Sequence, residues 1–263
     1  MISFIKDKQV YRVISPLTGL SIKTLYRYLK FSNFSKRYND KLKPIEDIIH
    51  IDFKYLRGKN FGIYIFFSNT YKKPIYWFYS NKEVQNKYIE GLKYLQSKWW
   101  KIRAVVSDIL YSVAKRCNKN NILIQFCIFH QQMVVSRYIW RRRKHRYEAN
   151  KELKEISWWL GKFKEEVIKQ WLEDWYRRYK EWLNEKNIEW KLKHEKTIKA
   201  YKSIKRNIEK LYTYEKYKEL NIPKTNNLLE SLNAKIKEQK IIHRWISIQN
   251  LKKIIDYLLY YDL

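Results

Sequence analysis

Cysteine is scarce in this sequence, which contains only Cys117 and Cys127 among its 263 residues. Two cysteines are too few for a disulfide framework and favour a reducing compartment. No apolar run approaches the roughly 20 residues that a membrane-spanning helix needs. The N-terminus, from Met1 to Lys8, lacks the apolar segment of a signal peptide. These absences predict a cytoplasmic protein that has no membrane partner.

Acidic residues are also in short supply, with 26 Asp and Glu against 56 Lys and Arg, a formal net charge of +30. The basic excess spans most of the chain, and such a surface repels itself unless a polyanion binds to it. A membrane surface is the competing partner, but no polybasic cluster adjoins an amphipathic anchor helix. Because Lys and Arg release counterions when they bind phosphates, the charge predicts a nucleic-acid partner.

Residues 1–43 have the pattern of a small helical unit. Gly19 supplies a turn, and Ser21 is in position to cap the helix that follows. This pattern is typical of a helix-turn-helix, whose second helix enters a major groove, although an ordinary helical hairpin fits as well. In the first interpretation, Lys23 and Arg27 are candidate DNA-binding residues.

Residues 44–263 have the pattern of a mixed α/β domain, in which short loops join the first three strands into an antiparallel meander. A right-handed crossover then brings the fourth strand beside the first. This order of elements is that of a ribonuclease H-like core with a five-stranded mixed sheet and flanking helices. The predicted elements are strands at 48–55, 61–67 and 74–79, a helix from Ser80 or Asn81 to about Gln96, a strand at 102–108, a helix at 111–116 and a strand at 121–127.

An all-helical insertion is predicted at about residues 139–220. It begins with a basic run that suits phosphate contact or a solvated helix face, and whose candidate DNA-binding residues are Arg141, Arg142 and Arg143. An apolar stripe from Leu160 to Trp182 then predicts a long amphipathic helix. Aromatic stripes of this kind are more typical of a core than of a base-stacking platform.

Three acidic residues are candidates for a metal-binding catalytic site. Asp52 lies in the middle of the first strand, Asp108 ends the fourth, and Glu230 stands in the first turn of a later helix. Asn233 and Lys237 lie on an adjacent face of that helix, and Lys237 is a further candidate DNA-binding residue. Both acids also have structural explanations. Asp52 could face solvent on an edge strand, and Glu230 could simply cap its helix, where the helix dipole favours an acid. We expect that later helix to pass through Arg244 and Trp245 to an amphipathic terminus, Ile248 to Leu259.

Three carboxylates from distant segments are what two-metal phosphoryl transfer requires, with the ions roughly 3.5–4 Å apart. Hard oxygen ligands select Mg²⁺ or Mn²⁺. No side chain stands out in a nucleophile motif.

Four segments of the chain resemble the DDE transposases of bacterial insertion sequences in the Mutator-like group. They are Ile49-His50-Ile51-Asp52, Val105-Val106-Ser107-Asp108, Cys127-Ile128-Phe129-His130 and Thr225-Asn226-Asn227-Leu228-Leu229-Glu230-Ser231-Leu232-Asn233-Ala234-Lys235. The resemblance implies that Asp52, Asp108 and Glu230 bind two Mg²⁺ or Mn²⁺ ions. It also implies hydrolysis at transposon ends, transfer of the freed 3′-hydroxyl into target DNA, and a homo-oligomer, at least a dimer on double-stranded DNA.

The resemblance gives Cys127, His130 and Asn233 auxiliary roles. Cys127 and His130 match a Cys-x-x-His run of the family, and we expect His130 beside the carboxylates and Cys127 buried in its strand. A zinc site is a weak alternative, because four ligands are usual and Cys117 is the only other cysteine. A nuclease without strand transfer and an inert DNA-binding remnant are the competing functions.

Overall fold

The computed structural model describes residues 11–31, 36–58, 60–139, 147–242, 244 and 246–261. The elements in chain order are α1 (Tyr11–Thr18), α2 (Ile22–Phe31), β1 (Glu46–Tyr55), β2 (Gly62–Ser68), β3 (Lys73–Ser80), α3 (Gln85–Ser97), β4 (Lys101–Ser107), α4 (Tyr111–Lys119), β5 (Leu123–Phe126), α5 (Ile128–Ile139), α6 (Glu148–Trp159), α7 (Glu165–Leu183), α8 (Glu195–Leu211), α9 (Thr213–Lys216), a 3₁₀ turn (Lys218–Leu220), α10 (Asn227–Ile242) and α11 (Ile248–Tyr261).

The strands form one five-stranded mixed sheet in the order β3-β2-β1-β4-β5. β1, β2 and β3 pair antiparallel, and β4 and β5 pair parallel. The predicted meander and the predicted place of the fourth strand beside the first are therefore confirmed. The chain divides into two compact units, with the boundary inside β4. The first unit contains the described residues up to Arg103 and from Asn227 onward, and the second contains those from Ala104 to Asn226.

In the first unit, β2 is the middle strand of the meander and is buried along its whole length. Alternate residues of β2 therefore pack in opposite directions. Ile63 and Ile65 join an apolar cluster with α10 and α11. Phe66 contacts α3, where the Cβ of any residue replacing Gly91 would come within 2.0 Å of the Phe66 ring. The meander is thus covered by helices on both faces.

The N-terminal helices agree with the predicted helical pair. Ser21 Oγ accepts a hydrogen bond from the backbone N–H of Thr24 at 3.1 Å, so Ser21 caps α2 as predicted. Gly19 has a φ of +68°, which suits a turn glycine. Leu29 is buried and packs with Ile254 of α11. The boundaries of the predicted domains, residues 1–43 and 44–263, stay a prediction.

The second unit contains α4 to α9 with β5 and most of β4. In it, α5, α6, α7 and α8 pack on one another, as the predicted helical insertion requires. Trp175 of α7 is fully buried and its ring stacks on that of Tyr201 at 5.4 Å, which confirms a core role for this tryptophan.

Several predicted boundaries were wrong. α3 begins at Gln85 after Val84, without a side-chain cap, so neither Ser80 nor Asn81 caps it. The insertion's long helix begins at Glu165 rather than Leu160, because Gly161 has a φ of +74° and interrupts the helical stretch. Near the C-terminus the predicted single helix is two, since α10 ends at Ile242 and α11 begins at Ile248.

None of the helices in the described part of the chain is both long enough and apolar enough to cross a membrane.

Candidate metal and nucleic-acid site

Asp52 faces helix α10. In the register of β1 with β2, Asp52 lies opposite Ile65, and directly paired residues of an antiparallel pair project to the same face. Ile65 packs against Leu229, Leu232 and Ile236 of α10. The side chain of Asp52 is half-buried and β1 is an interior strand. The edge-strand explanation for this carboxylate is therefore wrong.

Asn233 of α10 holds the Asp52 carboxylate. Its Nδ2 donates a hydrogen bond to Asp52 Oδ2 at 2.5 Å, while the backbone N–H of Phe53 donates to Asp52 Oδ1 at 2.7 Å. Asn233 is buried, and its other polar atom, Oδ1, is buried with no hydrogen-bond partner among the described residues. The amide thus orients the carboxylate and leaves an acceptor oxygen free.

Glu230 lies one turn before Asn233 on α10. Its Oε1 is buried and has no hydrogen-bond partner in the described part of the chain. Glu230 stands in the first turn of α10, where the helix dipole favours an acid, but the dipole supplies no hydrogen-bond donor to Oε1. Two acceptor oxygens without donors, on Glu230 and Asn233, therefore stand on the helix that holds Asp52. A buried acceptor without a donor is costly, and a bound cation removes that cost.

Asp108 lies in the second unit, directly after β4. Its Oδ1 is 2.9 Å from Nδ1 of His130, which stands in the first turn of α5. Burial by itself lowers the pKa of His130, but the neighbouring Asp108 carboxylate and Cys127 sulfur raise it to about 10. His130 is therefore positively charged at neutral pH and pairs with Asp108, which agrees with its expected place beside a carboxylate.

Cys127 is fully buried, one residue beyond the end of β5 rather than inside the strand. Its Sγ accepts a hydrogen bond from the backbone N–H of Asn226 at 3.3 Å. The thiol thereby joins the end of β5 to the segment that leads into α10. The other cysteine, Cys117, is buried in α4, where burial raises its pKa to about 12 and keeps it a thiol.

A cleft of about 410 Å³ lies in the first unit between β1 and α10. Lys54, Lys237 and Lys240 line it, and none of the three forms an ion pair with a described residue. Lys54 lies two residues after Asp52 and so on the same strand face, about 6.6 Å farther along. Lys237 lies one helical turn after Asn233, about 6 Å along α10. Three ammonium groups thus line a cleft next to the strand and the helix that carry Asp52 and Asn233.

Sequence reasoning named Lys237 but missed Lys54 and Lys240. The period of two in β1 placed Lys54 on the Asp52 face, and that signal was available in the sequence. Lys240 follows Lys237 by three residues on α10 and was recognisable by helical spacing. To select these lysines among the many in the chain, one must still know that α10 packs beside β1.

The remaining predicted DNA-binding residues are only partly described. Lys23 and Arg27 are exposed on α2, which leaves them available to a partner. Arg141, Arg142 and Arg143 lie outside the described residues, and their predicted role stays a prediction.

These features define a strongly basic mixed α/β protein. On α10, one oxygen of Glu230 and one of Asn233 have no hydrogen-bond partner among the described residues, and a lysine-lined cleft lies beside this helix. No protein-family model, curated protein or solved structure matches the chain.

Proposed function

We propose that this chain is a DDE-type DNA transposase in which Asp52, Asp108 and Glu230 together bind two divalent cations. The resemblance of its four motif segments to Mutator-like transposases suggests the reaction, which is hydrolysis at transposon ends followed by transfer of a 3′-hydroxyl into target DNA. The strand order of the sheet is compatible with a ribonuclease H-like core, which is the fold that this proposal requires.

The observation that carries the proposal is the buried Glu230 Oε1 without a hydrogen-bond partner in the described chain. Asn233 Oδ1 is also buried without a hydrogen-bond partner in the described chain, whereas Asp108 Oδ1 is paired with His130 at 2.9 Å. All three are hard oxygen donors, which suits Mg²⁺ or Mn²⁺ better than a thiophilic metal. The residues therefore fit the cations that the reaction needs.

When bound, the two cations would activate the attacking oxygen and stabilise the leaving oxygen. The chain's own residues prepare the site for them. Asn233 fixes the Asp52 carboxylate by donating from its amide, and His130 fixes the Asp108 carboxylate by its charge and position. Such supporting contacts orient carboxylate ligands in metal sites.

Lysines position the DNA in this proposal. Lys54, Lys237 and Lys240 contact the phosphates next to the scissile one, because their cleft adjoins Asp52 and Asn233. Phosphate contacts fix the register of a nucleic acid without reading its sequence. Lys23 and Arg27 on α2 supply a second contact, and the remaining basic surface adds non-specific affinity.

The experiment is cleavage and joining of labelled double-stranded DNA that carries the sequences flanking this chain's own coding sequence. Wild type is compared with Asp52→Ala, Asp108→Ala and Glu230→Ala, with and without Mg²⁺ or Mn²⁺. A transposase yields metal-dependent nicks and joined products, and each variant loses both while it still binds the DNA. Glu90→Ala, a change of an exposed glutamate on α3, is the matched control and keeps wild-type activity.

Other outcomes identify the competing functions. Metal-dependent nicks that never lead to joined products mean a nuclease without strand transfer. Binding without any cleavage, unchanged in all three variants, means an inert DNA-binding protein and contradicts the proposal.

A further inference from the structure

Trp99 lies in the turn that joins α3 to β4, within the first unit. The turn is a Schellman motif, because the backbone N–H of Trp99 donates to the carbonyl of Gln96 at 3.0 Å and that of Trp100 donates to the carbonyl of Leu95 at 3.1 Å. Trp99 takes a φ of +71° at the position of this motif where glycine is usual. The backbone of the turn therefore does not explain a tryptophan there.

The two tryptophans of this turn have opposite surroundings. Trp100 is buried, its ring lies 6.1 Å from that of Tyr71, and its Nε1 donates to the Tyr38 hydroxyl at 3.1 Å. Trp99 is 85% exposed, and its indole forms no hydrogen bond, ring contact or cation contact with a described residue. Packing within the described chain therefore accounts for Trp100 but not for Trp99.

Two further segments of the first unit lie beside the turn. The backbone N–H of Lys101 donates to the carbonyl of Ile45 at 3.1 Å. The hydroxyl of Tyr71, whose ring lies against Trp100, donates to the carbonyl of Lys43 at 3.0 Å. The surface around Trp99 is thus built from residues 43–47, 71–73 and 98–103. The basic residues of these three segments, all of them exposed, are Lys43, Lys72, Lys73, Lys98, Lys101 and Arg103.

The acidic residues of the same segments do not offset this charge. Glu46 pairs with Arg103 at 2.8 Å. Asp47 is buried, and the hydroxyls of Ser68 and Thr70 donate hydrogen bonds to it. Six basic residues against two acidic ones leave an excess of four positive charges. The five lysines form no ion pair with a described residue, so their ammonium groups are available to an anionic partner.

We propose that Trp99 stacks on an unpaired base of single-stranded nucleic acid, whose neighbouring phosphates contact Lys98 and Lys101. Aromatic side chains that stack on bases, set among cations that contact phosphates, are typical of single-strand binding. A duplex keeps its base faces inside the stack. A membrane surface is less suitable, because Trp99 is the only exposed large apolar side chain of the three segments and so offers little area for insertion. The contact needs no metal ion, so it does not depend on the proposed reaction.

The test is fluorescence anisotropy of the full chain with two labelled strands of about 12 nucleotides, in EDTA so that no cleavage occurs. One strand is oligothymidylate, and the other has the same length and charge but lacks every base. Trp99→Gly should bind oligothymidylate at least about fivefold more weakly than wild type and the abasic strand equally well. Trp99→Phe, which keeps a ring, should recover most of the lost affinity. Because glycine suits the positive φ, Trp99→Gly should melt no lower than wild type, which excludes unfolding as the cause.

Trp190→Gly is the matched control and should bind both strands as wild type does. Trp190 is 80% exposed with a φ of +57°, but Lys191 beside it pairs with Glu189. Unchanged binding of oligothymidylate by Trp99→Gly overturns the proposal, as does an equal loss for both strands or an equal effect of Trp190→Gly. Vesicles of phosphatidylserine and phosphatidylcholine test the lipid alternative. Sedimentation with them that requires Trp99, while oligothymidylate binding does not, assigns the surface to a membrane and overturns the proposal as well.

Discussion

At the scale of single residues, the candidate site depends on which side chains hold the carboxylates. The side-chain amide N–H of Asn233 donates to Asp52, and the Oδ1 of Asn233 has no hydrogen-bond partner in the described chain. His130 lies against Asp108 and carries a proton that the carboxylate stabilises. Asp52 and Asp108 therefore each have a supporting side chain, whereas Glu230 Oε1 has no hydrogen-bond partner among the described residues.

Replacement of Asn233 by alanine should separate orientation of Asp52 from DNA binding. Without the amide, the Asp52 carboxylate loses its fixed position, and we expect metal-dependent cleavage to fall about 10- to 100-fold. A higher Mg²⁺ concentration should restore part of the activity. The measurement is the cleavage rate across a Mg²⁺ titration, with DNA affinity determined in parallel.

Asn86→Ala, at an exposed position of α3, is the control with the same chemical change and should cleave like wild type. Equal rates for Asn233→Ala and wild type at every Mg²⁺ concentration would contradict the role given to Asn233.

At the scale of elements, α10 connects the sheet to the site. Leu229, Leu232 and Ile236 attach one face of the helix to β2, and this attachment sets the direction of the neighbouring face. Asn233 and Lys237 therefore point toward β1, where Asp52 and Lys54 project from the same strand face. One helix–strand contact thus gives rise to both the carboxylate contact and the lysine-lined cleft.

The lysines of this cleft should make separate contributions to DNA affinity. Lys237→Ala removes one phosphate contact, so DNA binding weakens and the slope of log affinity against log salt becomes about one unit shallower. Fluorescence anisotropy at several salt concentrations measures both quantities. Lys93→Ala, at an exposed lysine of α3, is the control for the loss of one charge and should change the slope much less. Identical slopes for the two variants would mean that the cleft binds no phosphate.

The contact between α11 and β3 predicts a dependence of stability on pH. Asp256 is buried, and burial raises its pKa to about 6, although Tyr79 and Trp77 donate hydrogen bonds to its Oδ1. In the unfolded chain this carboxyl titrates near 4. Between these values the folded state keeps a proton that the unfolded state releases. Its stabilising contribution is therefore complete below about pH 4 and is lost as the pH rises to about 6.

We expect this loss to be about 2 to 3 kcal/mol of unfolding free energy, from a pKa difference of about two units. Asp256→Asn keeps an oxygen that can accept from Tyr79 and Trp77 but does not titrate, so its stability should fall less over the same range. Urea unfolding of both proteins between pH 4 and pH 7 measures the difference. Parallel pH profiles would show that Asp256 titrates normally.

At the scale of the whole molecule, local patterns in the sequence sufficed for most elements. The period of two in β1, the short loops of the meander and the Ser21 cap all act between neighbouring residues, and each appears in the structure. The same alternation also predicted the position of Asp52 in β1. Patterns that depend on nearby residues therefore predicted the elements of the mixed sheet, and the crossover rule placed the fourth strand beside the first.

Contacts between distant segments were harder to predict. The bond between Asn233 and Asp52 depends on how α10 packs on β2, which no local period specifies. The stop at Gly161 was missed because the apolar stripe continues through it from Leu160 to Phe163. Sequence reasoning thus identified the site's acids more readily than their neighbours.

The most direct test of the central claim is iron-mediated cleavage of the polypeptide itself. With added hydrogen peroxide and ascorbate, Fe²⁺ bound in place of Mg²⁺ reduces the peroxide to hydroxyl radicals that cut the backbone near its ligands. The fragments are mapped by mass spectrometry. If the three carboxylates form one site, cuts appear near Asp52, Asp108 and Glu230 together. Excess Mg²⁺ and any one of the three alanine substitutions then abolish all of them. Cuts near only one of these residues, or cuts near Asp52 and Glu230 that persist in Asp108→Ala, would contradict a shared metal site.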